Sequence, residues 1–357
     1  MTNPLSKYLF YFYCLFSLIS IAQGKTLEQQ SSYKFINEYQ ANHDYYPGKH
    51  WLKASKPELL GWSSKKLKIA KTYAEKLNTE AIVVIDNGVI VADWGKVDKR
   101  YKVHSIRKSL LSALFGIYVT SGVINLDSTM KMLGISDIGG LSRQEQQAKV
   151  SDLLKARSGI YHSAAYETSS MKKSRPERGS HSPGTKWYYN NWDFNALFTI
   201  FEQQTGKKFF KTFKKKIADP IGMEQFRLKD TKYHLEKKSI HPAYRFRMSA
   251  LDMARFGLLF LRDGKWKDKQ VIPAQWVKKS TEPHTPFKKV NSGYGYMWWV
   301  GHGGYYASGK GGHKIMVLPN HNIVIVHRVN TDIKGVRVKS KKFWKLMKKI
   351  LSAKYNF

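Results

Sequence analysis

Cysteine is almost absent from this chain: there is one in 357 residues, Cys14, and it falls in an apolar N-terminal stretch. Beyond that stretch there can be no disulfide framework, no thiolate metal site and no cysteine nucleophile. Acidic residues are scarce too. There are 26 Asp and Glu against 61 Lys and Arg, a formal net charge of +35. Such a surface is drawn to anionic polymers, lipid head groups and acidic cell-wall glycans, a field effect that names no reaction. Long apolar runs are lacking. Leu9 to Ile21 is the nearest to one, and it is short of the ~20 residues of a membrane span. Internal repeats, G-x-G-x-x-G, P-loop, zinc-finger, RNP, helix-turn-helix and H-E-x-x-H patterns are all missing, so no nucleotide cofactor, catalytic metal or specific nucleic-acid partner is expected.

What is present is a globular composition, 42% hydrophobic and 14% aromatic. Lys7, the apolar run and Ala22-Gln23-Gly24 read as a secretory signal over residues 1–24. The mature chain is then expected in the periplasm or outside the cell, with no transmembrane span after cleavage; the alternative reading is a segment kept uncleaved as an anchor. Residues 25–62 form an irregular lead-in. Ser63 can cap a helix with apolar positions Leu67, Ala70, Tyr73, Ala74 and Leu77. Two β-branched runs flank Asn87-Gly88, a strong hairpin signal.

Between about Ser121 and His241 no strand pair is evident. Ser151 opens a short helix, "NNWDFNALFTIFEQQTG" is a helix stopped at Gly206, and "KKFFKTFKKKIADPIGM" is a basic amphipathic segment with its lysines as a solvated face. A helix ending at Gly264 precedes β-rich, glycine-punctuated segments. A final helix, 340–353, carries the stripe Phe343, Leu346, Met347 and Ile350. The prediction is an α/β (α+β) fold: an antiparallel sheet flanked by helices, built from 63–115 and 242–357, with an all-helical domain inserted at about 116–241.

The chemistry centres on "YKVHSIRKSLLSALFG". Ser105 and Lys108 are three apart, so a helix sets them on one face about a turn apart. A serine hydroxyl needs a base, and a lysine serves only if burial or neighbouring cations lower its pKa. Arg107 and Lys102 are such cations. Further on, "SPGTKWYYNNWDFNAL" offers two overlapping Tyr-x-Asn triplets, Tyr188/Asn190 and Tyr189/Asn191, and "YYASGKGGHKIMVLP" is a glycine-rich strand that a substrate can approach closely. His104 adjoins the serine. His162, His181, His302 and His313 have no metal-ligand spacing, and His313 is the nearest of them to a cleft.

Together these residues resemble the serine β-lactamase and penicillin-recognising hydrolase superfamily. The branch is that of class C β-lactamases, D-alanyl-D-alanine carboxypeptidases, and esterases and 6-aminohexanoate-dimer-hydrolase-like amidases. The resemblance runs from about Leu67 to Val329 and includes "VSDLLKARSGI", "PGTKWYYNN", "ADPIGM", "SALDMARFGLLFLRDGKW" and "GYGYMWWV". It implies a β-lactamase/transpeptidase-like fold, an acyl-enzyme reaction without cofactor, and a small-molecule or peptide-like acyl substrate. By the same resemblance Ser105 is the nucleophile, Lys108 its basic partner, Tyr189 the shuttle and Asn191 the amide, with Tyr188/Asn190 the alternative frame. The third motif falls on Ala307-Ser308-Gly309, where the family has a cation first. Lys310 or His313 could replace that charge only from another position. The oxyanion hole uses the N–H groups of Ser105 and Lys310, and the loops 161–182 and 283–292 border the cleft. The missing cation favours esterase- or amidase-like activity over a potent β-lactamase. The alternative it raises is a weak or inactive member that binds cell-wall fragments or a protein partner. The positive surface implies electrostatic association with an anionic cell envelope.

Overall fold

The computed structural model describes residues 44–287, 292–355 and 357; the stretch 1–24 expected to be a signal, Cys14 and the start of the lead-in lie outside the described residues. Among the described residues nine α-helices follow in chain order: α1 (Ser64–Glu75), α2 (Arg107–Thr120), α3 (Val150–Leu154), α4 (Ser169–Lys173), α5 (Asn191–Thr205), α6 (Phe209–Phe213), α7 (Ala250–Leu261), α8 (Ala274–Thr281) and α9 (Ser340–Leu351). The strands are β1 (Ala81–Asp86), β2 (Val89–Gly95), β3 (Tyr101–Lys102), β4 (Thr231–Glu236), β5 (Ser239–Met248), β6 (Lys265–Trp266), β7 (Lys269–Gln270), β8 (Thr285–Pro286), β9 (Gly293–Tyr294), β10 (Trp299–Gly301), β11 (Gly304–Gly309), β12 (His313–Leu318) and β13 (Ile323–Arg328).

The main sheet is antiparallel, in the order β2-β1-β13-β12-β11-β10-β9-β8. Its first and last thirds in sequence meet where β1 pairs with β13. Both faces are buried, so β1 reads as an unbroken apolar run whose side chains still alternate. Ile82 and Val84 pack with Leu346, Met347 and Ile350 of α9. Val83 and Ile85 pack with α2 and α7 on the other face. The stripe on α9 is buried as its spacing predicts, at about 1.5–3 kcal/mol for each large side chain.

Asn87 and Gly88 both have positive φ, 45° and 85°, and close the β1–β2 hairpin. A Cβ on Gly88 would stand 2.0 Å from the Tyr45 carbonyl oxygen, because the lead-in crosses the turn there. The lead-in is docked rather than loose. Arg255 of α7 is buried and donates to the carbonyls of Gly48 (2.7 Å) and Lys49 (3.1 Å). Trp62 is fully buried and donates to Asp86 Oδ2 at 2.6 Å.

Two expectations change, and a third, the basic amphipathic segment, holds. The inserted region is not all-helical: β3, β5 and β4 form a second, three-stranded sheet. Its outer strand, Thr-Lys-Tyr-His-Leu-Glu, is polar and exposed on one side, so it lacks the apolar signal of a strand. Helix α3 is capped from Lys149, whose N–H is accepted by Asp152 Oδ2 (3.0 Å), and Ser151 lies within the helix. The basic segment 207–223 is α6 running into a π-helical turn, Lys214–Ala218, with Phe209, Phe210, Phe213 and Ile217 buried and Lys211, Lys215 and Lys216 exposed. Among the described residues no helix is long and apolar enough to cross a membrane.

Candidate active site

The chain leaves β3 through Val103 into a 3-10 turn, His104–Ile106, that continues as α2. His104 sits in the left-handed region at φ 50°. That conformation is uncommon for a residue with a Cβ and is held only where the surroundings enforce it. Here the surroundings are side-chain bonds. His104 Nδ1 is 3.1 Å from the Tyr166 hydroxyl and Nε2 is 2.8 Å from Thr331 Oγ1. Burial and four nearby cations push the His104 pKa down to about 4, so the ring is neutral at pH 7.

The turn delivers Ser105 to the start of α2 and Lys108 one turn along. Lys108 Nζ is 3.1 Å from Ser105 Oγ and 2.9 Å from the Tyr189 hydroxyl. Lys108 is 2% exposed and lies over the rings of Tyr189 (4.5 Å) and Phe194 (4.7 Å). No carboxylate pairs with it among the described residues. Burial, with the Arg107 guanidinium adding to it, holds its pKa well below the ordinary lysine value. Burial moves Tyr189 the other way, upward, against a hydrogen bond from Ser105 and the charge of Arg107. The two shifts run in opposite senses: the amine is made easier to deprotonate and the phenol harder.

Tyr189 is fixed by an aromatic surround: Phe194 at 5.1 Å, Trp299 at 5.5 Å and Tyr294 at 6.0 Å between ring centroids. The overlapping triplet is engaged elsewhere. The Tyr188 hydroxyl donates to Met171 O at 2.6 Å. Asn190 is the N-cap of α5: its Oδ1 accepts from Trp192 N (3.1 Å) and its Nδ2 donates to Ile160 O (2.6 Å). Asn191 donates to Tyr166 O at 2.7 Å, and its buried Oδ1 has no partner.

The glycine-rich strand meets the nucleophile turn through Gly309. A Cβ there would come within 2.5 Å of the Val103 carbonyl oxygen, so only glycine lets β11 lie this close. Two residues of this region do not face the site as expected. Ser308 alternates to the α9 side of the sheet, where its hydroxyl accepts from Lys314 Nζ beside Phe343. His313 is wholly buried, 5.4 Å from the His104 ring and bonded to Thr331 Oγ1 at 3.1 Å. It backs His104 instead of lining an open cleft. Burial, then the charge of Arg328, holds its pKa well below the ordinary value.

Lys310 is exposed and lines a cavity of about 630 Å³ together with His104, Thr331, Lys334 and Arg337. None of these three cations pairs with a carboxylate among the described residues. Of the bordering loops, 161–182 supplies Tyr166 to the site. Pro283–Phe287 brings Phe287 against Trp187, 5.1 Å between centroids. Sequence reasoning missed Tyr166, Thr331 and the inward direction of Arg107.

The family model described as Beta-lactamase matches residues 69–344. An uncharacterized protein of Alkalihalophilus pseudofirmus is 21% identical over 296 residues, covering 70% of this chain and 83% of that protein. A penicillin binding protein from Bacillus halodurans superposes with TM-score 0.61 at 15% identity, covering 78% of this chain and 99% of the other. A class C beta-lactamase gives 0.60 at 15% identity, with 83% and 98% covered. A beta-lactamase from Mycobacterium bovis gives 0.55 at 18%, with 80% and 96% covered. At such identities the solved structures speak to fold.

Proposed function

The chain belongs to the beta-lactamase family, and from that premise we propose that it is a serine hydrolase working through an acyl-enzyme on Ser105. The observation that carries this reading is Lys108 Nζ standing within hydrogen-bond distance of both Ser105 Oγ and the Tyr189 hydroxyl. The Lys108 amine, its proton affinity lowered by burial, takes the serine proton as Oγ attacks a carbonyl carbon. The oxyanion is held by the backbone N–H groups of Ser105 and Lys310. The charge reaching Lys108 passes as a proton through the Tyr189 hydroxyl to the leaving group, and water then attacks the ester of Ser105 by the reverse route. Asn191, whose Oδ1 has no partner, is suited to an N–H of the substrate.

The substrate class follows from the walls. Ala307 supplies no cation, which disfavours the lactam-type reading and supports ester or amide carbonyls. Lys310, Lys334 and Arg337 favour an acyl compound that carries an anionic group at some distance from the reacting carbon. The signal-like segment 1–24 and the net charge of +35 support an exported enzyme held near an anionic envelope. The test is a panel of aryl esters and anilides in matched pairs, with and without a carboxylate. Hydrolysis by the mature chain, lost in Ser105→Ala and faster for the anionic member of a pair at low salt, is expected. A panel left untouched by the wild type would move the reading to a binding protein.

A further inference from the structure

Arg107 lies between the nucleophile and its base in sequence, and its side chain turns into the protein. It is 1% exposed. One hydrogen bond holds it, Nη2 to Asn195 Oδ1 at 3.2 Å, and its Nε and Nη1 have no partner. The guanidinium stacks against Tyr244 (4.8 Å) and Tyr166 (5.6 Å). Among the described residues no carboxylate forms an ion pair with it. Arginine stays charged in proteins, and burying an unpaired charge is unfavourable where a methionine or leucine would pack well. A site that keeps such a charge beside the base has a use for it.

We propose that Arg107 is a positioning residue for the reaction: a buried guanidinium with no carboxylate partner among the described residues whose charge helps the adjoining Lys108 amine to take the serine proton. The inference rests on the reading of Lys108 as base. The surrounding groups leave the field unopposed. From α5, Asn195 is neutral, and the Asp193 carboxyl is turned to Ser158 (2.5 Å) and Asn190 (2.9 Å), its pKa raised by burial. From β5 and β9 come the phenols of Tyr244 and Tyr294, and from the 161–182 loop that of Tyr166. Glu236 accepts from the Tyr166 N–H at 2.7 Å and is already bonded to Lys238 and His234. His104 is neutral. Arg107 itself lowers Lys108, Tyr189 and Tyr244 in the same sense.

The experiment compares the wild type with Arg107→Lys, Arg107→Gln and Arg107→Met. One readout is the rate of fluorophosphonate labelling of Ser105 against pH. The other is the pH titration of the Lys108 Cε resonance, assigned by its loss in Lys108→Met. Removing the charge is expected to raise the Lys108 pKa and move the acid limb of the labelling profile up by about one pH unit, a tenfold slower reaction below it. Arg107→Lys, which keeps a charge, restores most of the wild-type limb. Folded Gln and Met variants with an unmoved limb and an unmoved Lys108 resonance overturn the proposal, since a purely packing role lowers the whole profile without shifting it. Should Lys108 shift as expected while wild-type Ser105 is never labelled, the inference about Arg107 stands and the hydrolase reading fails.

Discussion

The Lys108 amine and the Tyr189 hydroxyl stand 2.9 Å apart, 81 residues distant in sequence, with Ser105 Oγ on the other side of the amine at 3.1 Å. The sheet side of the molecule supplies the turn before α2, and the segment leading into α5 supplies the phenol.

Tyr189→Phe keeps the aromatic surround and removes one hydroxyl. Turnover of an activated ester is expected to fall by about 10²–10⁴, the usual contribution of a positioned acid–base group. Binding, read as KM, and thermal stability should change little. An unaltered kcat would remove Tyr189 from the reaction.

The two asparagines of the Tyr-x-Asn overlap divide stability from chemistry. Asn190→Ala deletes the cap of α5 and should lower stability by about 1–2 kcal/mol in urea unfolding, with kcat nearly kept. Asn191→Ala should lower kcat/KM. The opposite pattern would restore the Tyr188/Asn190 frame.

Gly309→Ala forces a methyl group against the Val103 carbonyl oxygen at 2.5 Å. Because Val103 precedes the nucleophile turn, β11 or the turn must move. We expect activity to fall by about 10²-fold, as when one oxyanion donor is misplaced. Circular dichroism should stay native. Full activity in a folded Gly309→Ala would show that the strand does not set the site.

Acid stability is expected to depend on His327. It is fully buried, with Nδ1 2.7 Å from Gly312 O and Nε2 3.0 Å from Thr79 Oγ1, and burial pushes its pKa down to about 4. Between pH 6.5 and 4 the unfolded chain binds a proton that the native state refuses. Stability contributed by the neutral ring is therefore present above pH 6.5 and lost as pH falls toward 4, by about 3 kcal/mol in all. The difference in urea midpoint between pH 7 and pH 4.5 should shrink in His327→Gln. Parallel pH curves for the two proteins would contradict this.

Much of the fold was legible because it rests on local rules. The Asn87-Gly88 hairpin, the Ser63 cap and the stripe on α9 each carry their own pattern. Ser105, Lys108 and Tyr189 were legible through spacing and resemblance together. The second sheet was not, because β4 is a polar edge strand and β3 is two residues long. The docking of the lead-in was hidden as well: Arg255 grips backbone carbonyls, which leave no side-chain signature. Side-chain direction is a property of packing. Nothing in "SIRK" says that Arg107 turns inward between two tyrosines, or that Ser308 turns toward α9.

The central claim is that Ser105 is a nucleophile activated by Lys108. The most direct measurement is peptide mapping after a fluorophosphonate probe is applied to the full chain at pH 8. The account predicts one adduct, on Ser105, absent in Ser105→Ala and formed at least about a hundredfold more slowly in Lys108→Met, the scale of a lost general base. No adduct on the wild type, or an adduct formed equally fast without Lys108, would contradict it.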